Sequence, residues 1–355
     1  MRTVEATWKG QTPGLVVKVD LPGRRRDWTY ATGHRGPGSD RPVTERMQFA
    51  IGSITKTMTT TAALQLVQEG RLSLEATIDR WLPAVPRAGA ITVAQLMNMS
   101  SGVGNWADLG AIFRRVAAQP ARLWTPRTAI NRSNATARTF DTPGSAFDYN
   151  NANTTMLGVI MERITGHSLA RELQRRLFEP LGLRRTRLVQ KPGFDTPHSR
   201  GFSTITGKPA DTTDWTLSYA WAAGGVASTI DDLTRWGRAL GRGELIDSSL
   251  QQRRLDDRSL AATAGGDRPY DVSYGLGMEL ETHPGTGQTM ALGHNGKVFG
   301  FSSRVQYFPA TDTVVAVLAN GDNGSVADEV AGMLRLRFPA LLEGPQSLLL
   351  ANADT

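Results

Sequence analysis

Ser53 and Lys56 stand three residues apart in Ser53-Ile54-Thr55-Lys56, directly after Gly52 and at the head of a run whose apolar positions recur at helical spacing. One helical turn brings that hydroxyl and that ammonium onto the same face. A lysine held beside a serine can act as the base that turns a weak hydroxyl nucleophile into a competent one, which is acyl-transfer chemistry. In a chain with 20 serines and 6 lysines the pattern arises by chance ~0.3 times. The competing reading is a core helix with a capping serine and a solvated lysine, so the pair needs partners before it counts.

Two further groups supply them. Tyr149-Asn150-Asn151 is the single Tyr-x-Asn of the chain, a pattern expected about 0.2 times by chance. A phenol titrates near 10 and serves as a base near neutrality only where positive charge lowers that value; Lys56 is the candidate source. His-x-Gly occurs at His34, His283 and His294. His34 precedes the serine and Pro284 argues against His283 ending a central strand, whereas His294-Asn295-Gly296 sits between two predicted strands.

The elements that must hold these groups follow from periodicity. Gly14 to Asp20 alternates as a strand, and a second strand near Asp27 to Thr32 follows the turn Pro22 to Arg26. From Ser53, the residues Met58, Ala62 and Leu66 step at helical spacing until Gly70 offers a stop. The middle of the chain has helical periods, as at Leu169, Leu173 and Leu177 and at Met156, Ile160 and Ile164, broken by loops rich in Gly, Pro, Asn and Ser. Thr289 to His294, Gly300 to Phe308 and Thr313 to Ala319 read as strands, the last two joined by the turn Pro309 to Asp312, and Ser325 with Asp328 reads as a capping box opening a final helix. Strands at both ends with helices between predict an α+β fold: one antiparallel sheet built from both termini and flanked by helices, with a mostly helical lobe inserted. The expectation is a single domain, its α/β lobe at about residues 1–85 and 230–345 and its helical lobe at about 86–229.

Composition bounds the function. The 355 residues are 40% hydrophobic and 21% charged, the balance of a globular protein with a substantial core. The net charge of +7 is spread over scattered arginine pairs, Arg114 with Arg115 and Arg184 with Arg185 among them, with no basic run or aromatic interleaving, so no nucleic-acid partner is expected. Absence of cysteine removes disulfides and thiolate chemistry, the five histidines are dispersed, and neither Gly207-Lys208 nor Gly296-Lys297 has the upstream glycine of a P-loop. No cofactor or metal is implied. The Gly-x-Ser-x-Gly elbow is missing. Met1 to Gly10 has no apolar signal core and no run is long enough to span a bilayer, which gives the expectation of a cytoplasmic protein without a membrane partner, secreted if a leader has been removed.

In the order Ser-x-x-Lys, Tyr-x-Asn, His-x-Gly, the set resembles the serine β-lactamase and D,D-peptidase superfamily, and within it the class C and D-aminopeptidase branch. The resemblance extends over Phe49 to Ser53, Gln68 to Leu72, Leu96 to Val103, Ala223 to Thr229 and Tyr274-Gly275-Leu276-Gly277. It implies a β-lactamase-like fold and a hydrolase or acyltransferase that forms an acyl-enzyme at Ser53 from an amide or ester of a small molecule or peptide, with water, an amine or an alcohol as acceptor. Lys56 and Tyr149 would share the proton traffic, Asn151 would orient substrate and lysine, His294 would bond to Tyr149 or stabilise positive charge near it, and the backbone N–H groups of Ser53 and Lys297 would hold the oxyanion. Carboxypeptidases of this branch that carry His-Thr-Gly grip a substrate carboxylate with threonines around that motif and an arginine on the preceding strand; the matching positions here are Asn295, Lys297 and Glu279, where a carboxylate would repel one. Glu279 is therefore a candidate receiver of an amine, and Tyr219 and Trp106 fall where the family places substrate-wall aromatics. A D,D-carboxypeptidase and a non-catalytic binding module on the same fold are the alternatives. The family also carries an N-terminal helix where this chain has about a dozen residues before its first strand.

Overall fold

The computed structural model describes residues 11–23, 27–105, 109–263 and 269–342. Trp106 and the N-terminal ten residues lie outside them. The strands are β1 (Gly14–Asp20), β2 (Trp28–Gly33), β3 (Phe49–Ala50), β4 (Arg187–Leu188), β5 (Phe202–Ser203), β6 (Ala210–Asp211), β7 (Val226–Ser228), β8 (Ser259–Ala262), β9 (Asp271–Tyr274), β10 (Glu279–Thr282), β11 (Thr289–Val298), β12 (Phe301–Phe308) and β13 (Thr313–Ala319).

β1 reads Gly-Leu-Val-Val-Lys-Val-Asp and β13 Thr-Val-Val-Ala-Val-Leu-Ala. Such near-continuous β-branched runs fit strands covered on both faces. The two pair antiparallel, Leu15 opposite Ala319 and Val19 opposite Val315, so the two ends of the chain close one eight-stranded sheet in the order β2-β1-β13-β12-β11-β10-β9-β8. Side chains of successive residues fall into different cores: Val16, Val314, Leu318 and Val305 join the large core shared with helices Thr55–Gln68 and Ile230–Arg242, while Leu15, Val17, Val315 and Val317 pack under helix Val326–Arg337. β3, β7 and β4 form a small second sheet beside the serine segment. Helices Val93–Met97, Leu109–Ala118, Pro126–Asn134, Asn151–Thr165 and Leu169–Leu173 come from the middle of the chain, as periodicity predicts.

Three differences from the sequence reading have physical causes. β8, β9 and β10 were not foreseen, because Glu279-Leu280-Glu281-Thr282 looks like a solvated stretch; its carboxylates are instead turned inward and neutralised by Arg304 and Arg335. Ser325 does precede helix Val326–Arg337, but its side chain makes no cap bond. Asp328 accepts from Asn295 Nδ2 at 3.1 Å instead of closing a capping box. His283 follows an inner strand after all: β10 ends at Thr282, and the His283 ring, with Nδ1 accepting from the N–H groups of Gly285 and Thr286 at 3.1 and 3.3 Å, builds the turn into β11. Among the described residues no helix is long and apolar enough to cross a membrane.

Candidate active site

Ser53 sits in the 3₁₀ turn Gly52–Ile54 that feeds directly into helix Thr55–Gln68. Gly52 has φ +50°, and a Cβ on it would lie 2.6 Å from the backbone N of Lys297. A Cβ on Gly296 would lie 2.0 Å from the Ile51 carbonyl oxygen. Only glycines permit this approach of two backbones, so the Gly of His-Asn-Gly is fixed by sterics. Ser303 Oγ donates to Ile51 O at 2.8 Å and fastens β12 to the same turn. The serine turn is thereby clamped against the Gly296-Lys297 backbone, next to the N–H that would serve an oxyanion.

Lys56 is fully buried. Its Nζ lies 2.9 Å from Ser53 Oγ, 2.7 Å from Asn151 Oδ1 and 2.8 Å from the Ala223 carbonyl. Burial lowers its pKa to about 7, against a small opposing pull from Glu279. At neutral pH a large share of the amine is therefore uncharged, with two N–H bonds for Asn151 and Ala223 and a lone pair for the Ser53 proton. Asn151 is the first residue of helix Asn151–Thr165, whose cap is Asn150, its side chain accepting from Ala152 N at 2.9 Å. Tyr-x-Asn thus combines a cap and a lysine-holding amide.

The Tyr149 ring lies beneath the lysine, its centroid 4.8 Å from Nζ. Its hydroxyl is buried without a hydrogen bond of ordinary geometry, although Ser53 is near enough to draw its pKa down somewhat; burial outweighs this and pushes the phenol well above its ordinary range. The expected lowering by Lys56 does not occur, because desolvation dominates and the lysine itself loses charge. Tyr149 is a neutral phenol.

His294 is placed differently from expectation. It is fully buried, with Nδ1 2.5 Å from the Asn295 carbonyl and Nε2 2.9 Å from the hydroxyl of Tyr274. A carbonyl only accepts, so Nδ1 carries the proton and Tyr274 donates to Nε2. Its ring centroid is 5.9 Å from that of Tyr149, in contact but without a bond. Burial and the nearby Lys56 lower its pKa to about 3, so it carries no positive charge at neutral pH. Tyr274 is the group sequence reading missed, and Tyr274-Gly275-Leu276-Gly277 was its signal.

Asn295, Lys297 and Glu279 sit at the other side of the strand. Asn295 is bound to Asp328; Lys297 is exposed and donates to the Gly324 carbonyl at 3.1 Å. Glu279 Oε2 accepts from Arg304 Nη1 at 2.7 Å, while its Oε1 is 4.0 Å from His294 Nδ1. Arg304 also bonds Glu281 Oε1 at 2.8 Å and lies 3.4 Å from Asp328 Oδ1. Asn295, Glu279, Glu281, Arg304 and Asp328, but not Lys297, line a cavity of about 330 Å³. A larger open groove of about 600 Å³, lined by Gln65, Glu69, Arg175 and Arg176 among others, flanks the far end of the serine helix and holds none of the chemistry. Tyr219 is half-buried against Phe299, ring centroids 5.3 Å apart, and burial raises its pKa. Register with β10 ends at Gly293, whereas register with β12 continues to Val298. Among the described residues, His294 to Val298 are therefore paired on one side only, leaving an open strand edge beside the serine. No group of His, Cys, Asp and Glu among the described residues is arranged to hold a metal ion.

A family model described as Beta-lactamase matches residues 2–338. A D-aminopeptidase of Brucella anthropi is 25% identical over 342 residues, 93% of this chain and 60% of that protein; this chain spans about that share of the curated relatives it matches. A crystal structure of a D-stereospecific amidohydrolase from Streptomyces sp. superposes with TM-score 0.80 at 28% identity, covering 93% of this chain and 96% of that one. The D-amino acid amidase of Ochrobactrum anthropi SV3, crystallised with L-phenylalanine, superposes with TM-score 0.77 at 24% identity over 95% of this chain and 98% of its own.

Proposed function

This chain belongs to the beta-lactamase family, and we propose that within it the protein is a serine hydrolase that forms an acyl-enzyme at Ser53 and acts on amides of amino acids or short peptides, those of D configuration first. The observation that carries the reading is the fully buried Lys56, 2.9 Å from Ser53 Oγ and lowered to about 7. Uncharged Lys56 takes the Ser53 proton as Oγ attacks the amide carbonyl; the C–O bond forms as the C=O π pair moves onto oxygen. The N–H groups of Ser53 and Lys297 stabilise that oxyanion. The neutral Tyr149 phenol, close to Ser53, hands a proton to the departing amine and is reprotonated through Lys56, and water then repeats the cycle to release the acid.

The amide preference has support from the charge around Asn295. Arg304, the cation beside it, is already matched by Glu279, Glu281 and Asp328. A substrate carboxylate arriving here meets three acids, Glu279, Glu281 and Asp328, against the two arginines Arg304 and Arg335 that they already occupy, which disfavours a D,D-carboxypeptidase. Glu279 is likewise engaged and is not a free receiver for an amine. The D preference is carried over from the named specificities of the D-aminopeptidase and the D-stereospecific amidohydrolase.

The test is intact-mass measurement with D- and L-amino-acid amides, short acyl esters and a β-lactam. A covalent adduct on wild-type protein that disappears in Ser53→Ala supports the reading. No adduct with any compound, or adducts that persist in Ser53→Ala, overturns it. Added amine acceptors separate transfer from hydrolysis.

A further inference from the structure

We propose that Tyr274 is a positioning residue of the serine site: by donating its hydroxyl proton to His294 Nε2, while Asn295 takes the Nδ1 proton, it locks the imidazole as a neutral plate that holds the Tyr149 phenol toward Ser53. The proposal rests on the acyl-enzyme reading above. Tyr274 is 1% exposed. Its ring meets that of His294 edge-on at 5.6 Å and that of Tyr149 at 5.9 Å, and Phe147 closes the cluster at 5.8 Å. The Tyr149 hydroxyl faces Ser53 without a hydrogen bond of ordinary geometry, so ring packing helps to aim it.

Tyr274 is itself held to the helix that carries Lys56. It ends β9, and the turn after it is seated closely: a Cβ on Gly277, at φ +83°, would lie 2.3 Å from Thr60 Oγ1. Arg254, fully buried and with no carboxylate among the groups that shift its pKa, donates from Nε to the Leu276 carbonyl at 3.1 Å and from Nη2 to Thr61 Oγ1 at 2.5 Å. One arginine thus ties the tyrosine's turn to the second turn of the serine helix. The groups around His294 are Tyr149, Tyr274, the Asn295 carbonyl, Lys56, Glu279 at 4.0 Å and Arg304. With both ring nitrogens engaged, the imidazole has no open nitrogen with which to shuttle protons. Its part is orientation, and Tyr274 sets it.

The tautomer is read first, in wild-type protein, from imidazole ¹⁵N–¹H correlations; a single Nδ1–H form is expected, and an Nε2–H form overturns the proposal outright. Acylation rates with D-alanine p-nitroanilide are then compared for wild type, Tyr274→Phe, His294→Ala and the double variant, with melting curves to confirm folding. Tyr274→Phe is expected to slow acylation about 10- to 100-fold with KM within about twofold, the size of one buried hydrogen bond expressed in the transition state. The same change should have no further effect once His294 is alanine. An unchanged rate in Tyr274→Phe, or an effect that persists in full on His294→Ala, overturns the proposal. Failure of wild type to acylate with any substrate overturns the acyl-enzyme reading instead, while the tautomer still decides the hydrogen-bond geometry.

Discussion

Two buried polar clusters lie within one strand's width of each other and have opposite characters. Around Ser53, the buried Lys56 has hydrogen bonds but no carboxylate contact, Tyr149 faces Ser53 without a hydrogen bond of ordinary geometry, and His294 is neutral. Beneath helix Val326–Arg337, Arg304 bonds Glu279 and Glu281, Arg335 bonds Glu281, and Gln306 Nε2 donates to Glu281 Oε1 at 2.8 Å. Paired charges keep their charge and are stable; unpaired ones shift toward neutrality and become reactive. On the proposed function, the difference puts chemistry on one face of β11 and support on the other.

Substitutions can break that contrast. The largest effect is expected from Lys56→Met, which should cut amide turnover by about 10³-fold or more, as for loss of a base in a serine machine, read as the single-turnover acylation rate. Glu281→Gln should do the opposite: a loss of about 1.5 to 3 kcal/mol of stability in a denaturant titration, since it removes the charged acceptor that Arg304 and Arg335 share, with acylation per folded molecule within about twofold of wild type.

A smaller effect separates the clusters by pH. The folded pKa of Lys56 is lowered from 10.5 to about 7, so between these values the unfolded chain binds a proton that the folded one does not. Stability from this group then rises with pH, by about 1.4 kcal/mol per unit across that window, and is flat below 7 where the full penalty persists. Lys56→Met should remove that slope and raise stability at neutral pH, measured by denaturant titrations from pH 6 to 9. The least effect is expected at the edge of the supporting cluster: Asn295→Ala, which loses a partly exposed bond to Asp328, should cost about 1 kcal/mol or less and leave the acylation rate unchanged.

Much of this was legible from residue spacing, and what was not has a common cause. Ser53, Lys56, Tyr149 and Asn151, which the structure brings together, stood out as candidates because their spacing is local to a helix start or cap, and the strands of both termini were legible because their apolar runs are long. Strand β10 escaped because paired buried glutamates look like solvated ones, and Tyr274 because its bond to His294 spans 20 residues. The protonation states escaped for the same reason: nothing local in Tyr149-Asn150-Asn151 records that desolvation exceeds the influence of Lys56. Gly296 is the converse case, a motif residue whose reason became visible only when the Ile51 carbonyl was found where its side chain would be.

The central claim is that Lys56, neutral because it is buried, activates Ser53. The single-turnover acylation rate of a D-amino-acid p-nitroanilide, measured from pH 5 to 10, tests it most directly. A rising limb with its midpoint near 7, abolished in Lys56→Met, is the predicted result. A limb near 10, or a rate that survives in Lys56→Met with its pH dependence intact, would contradict it.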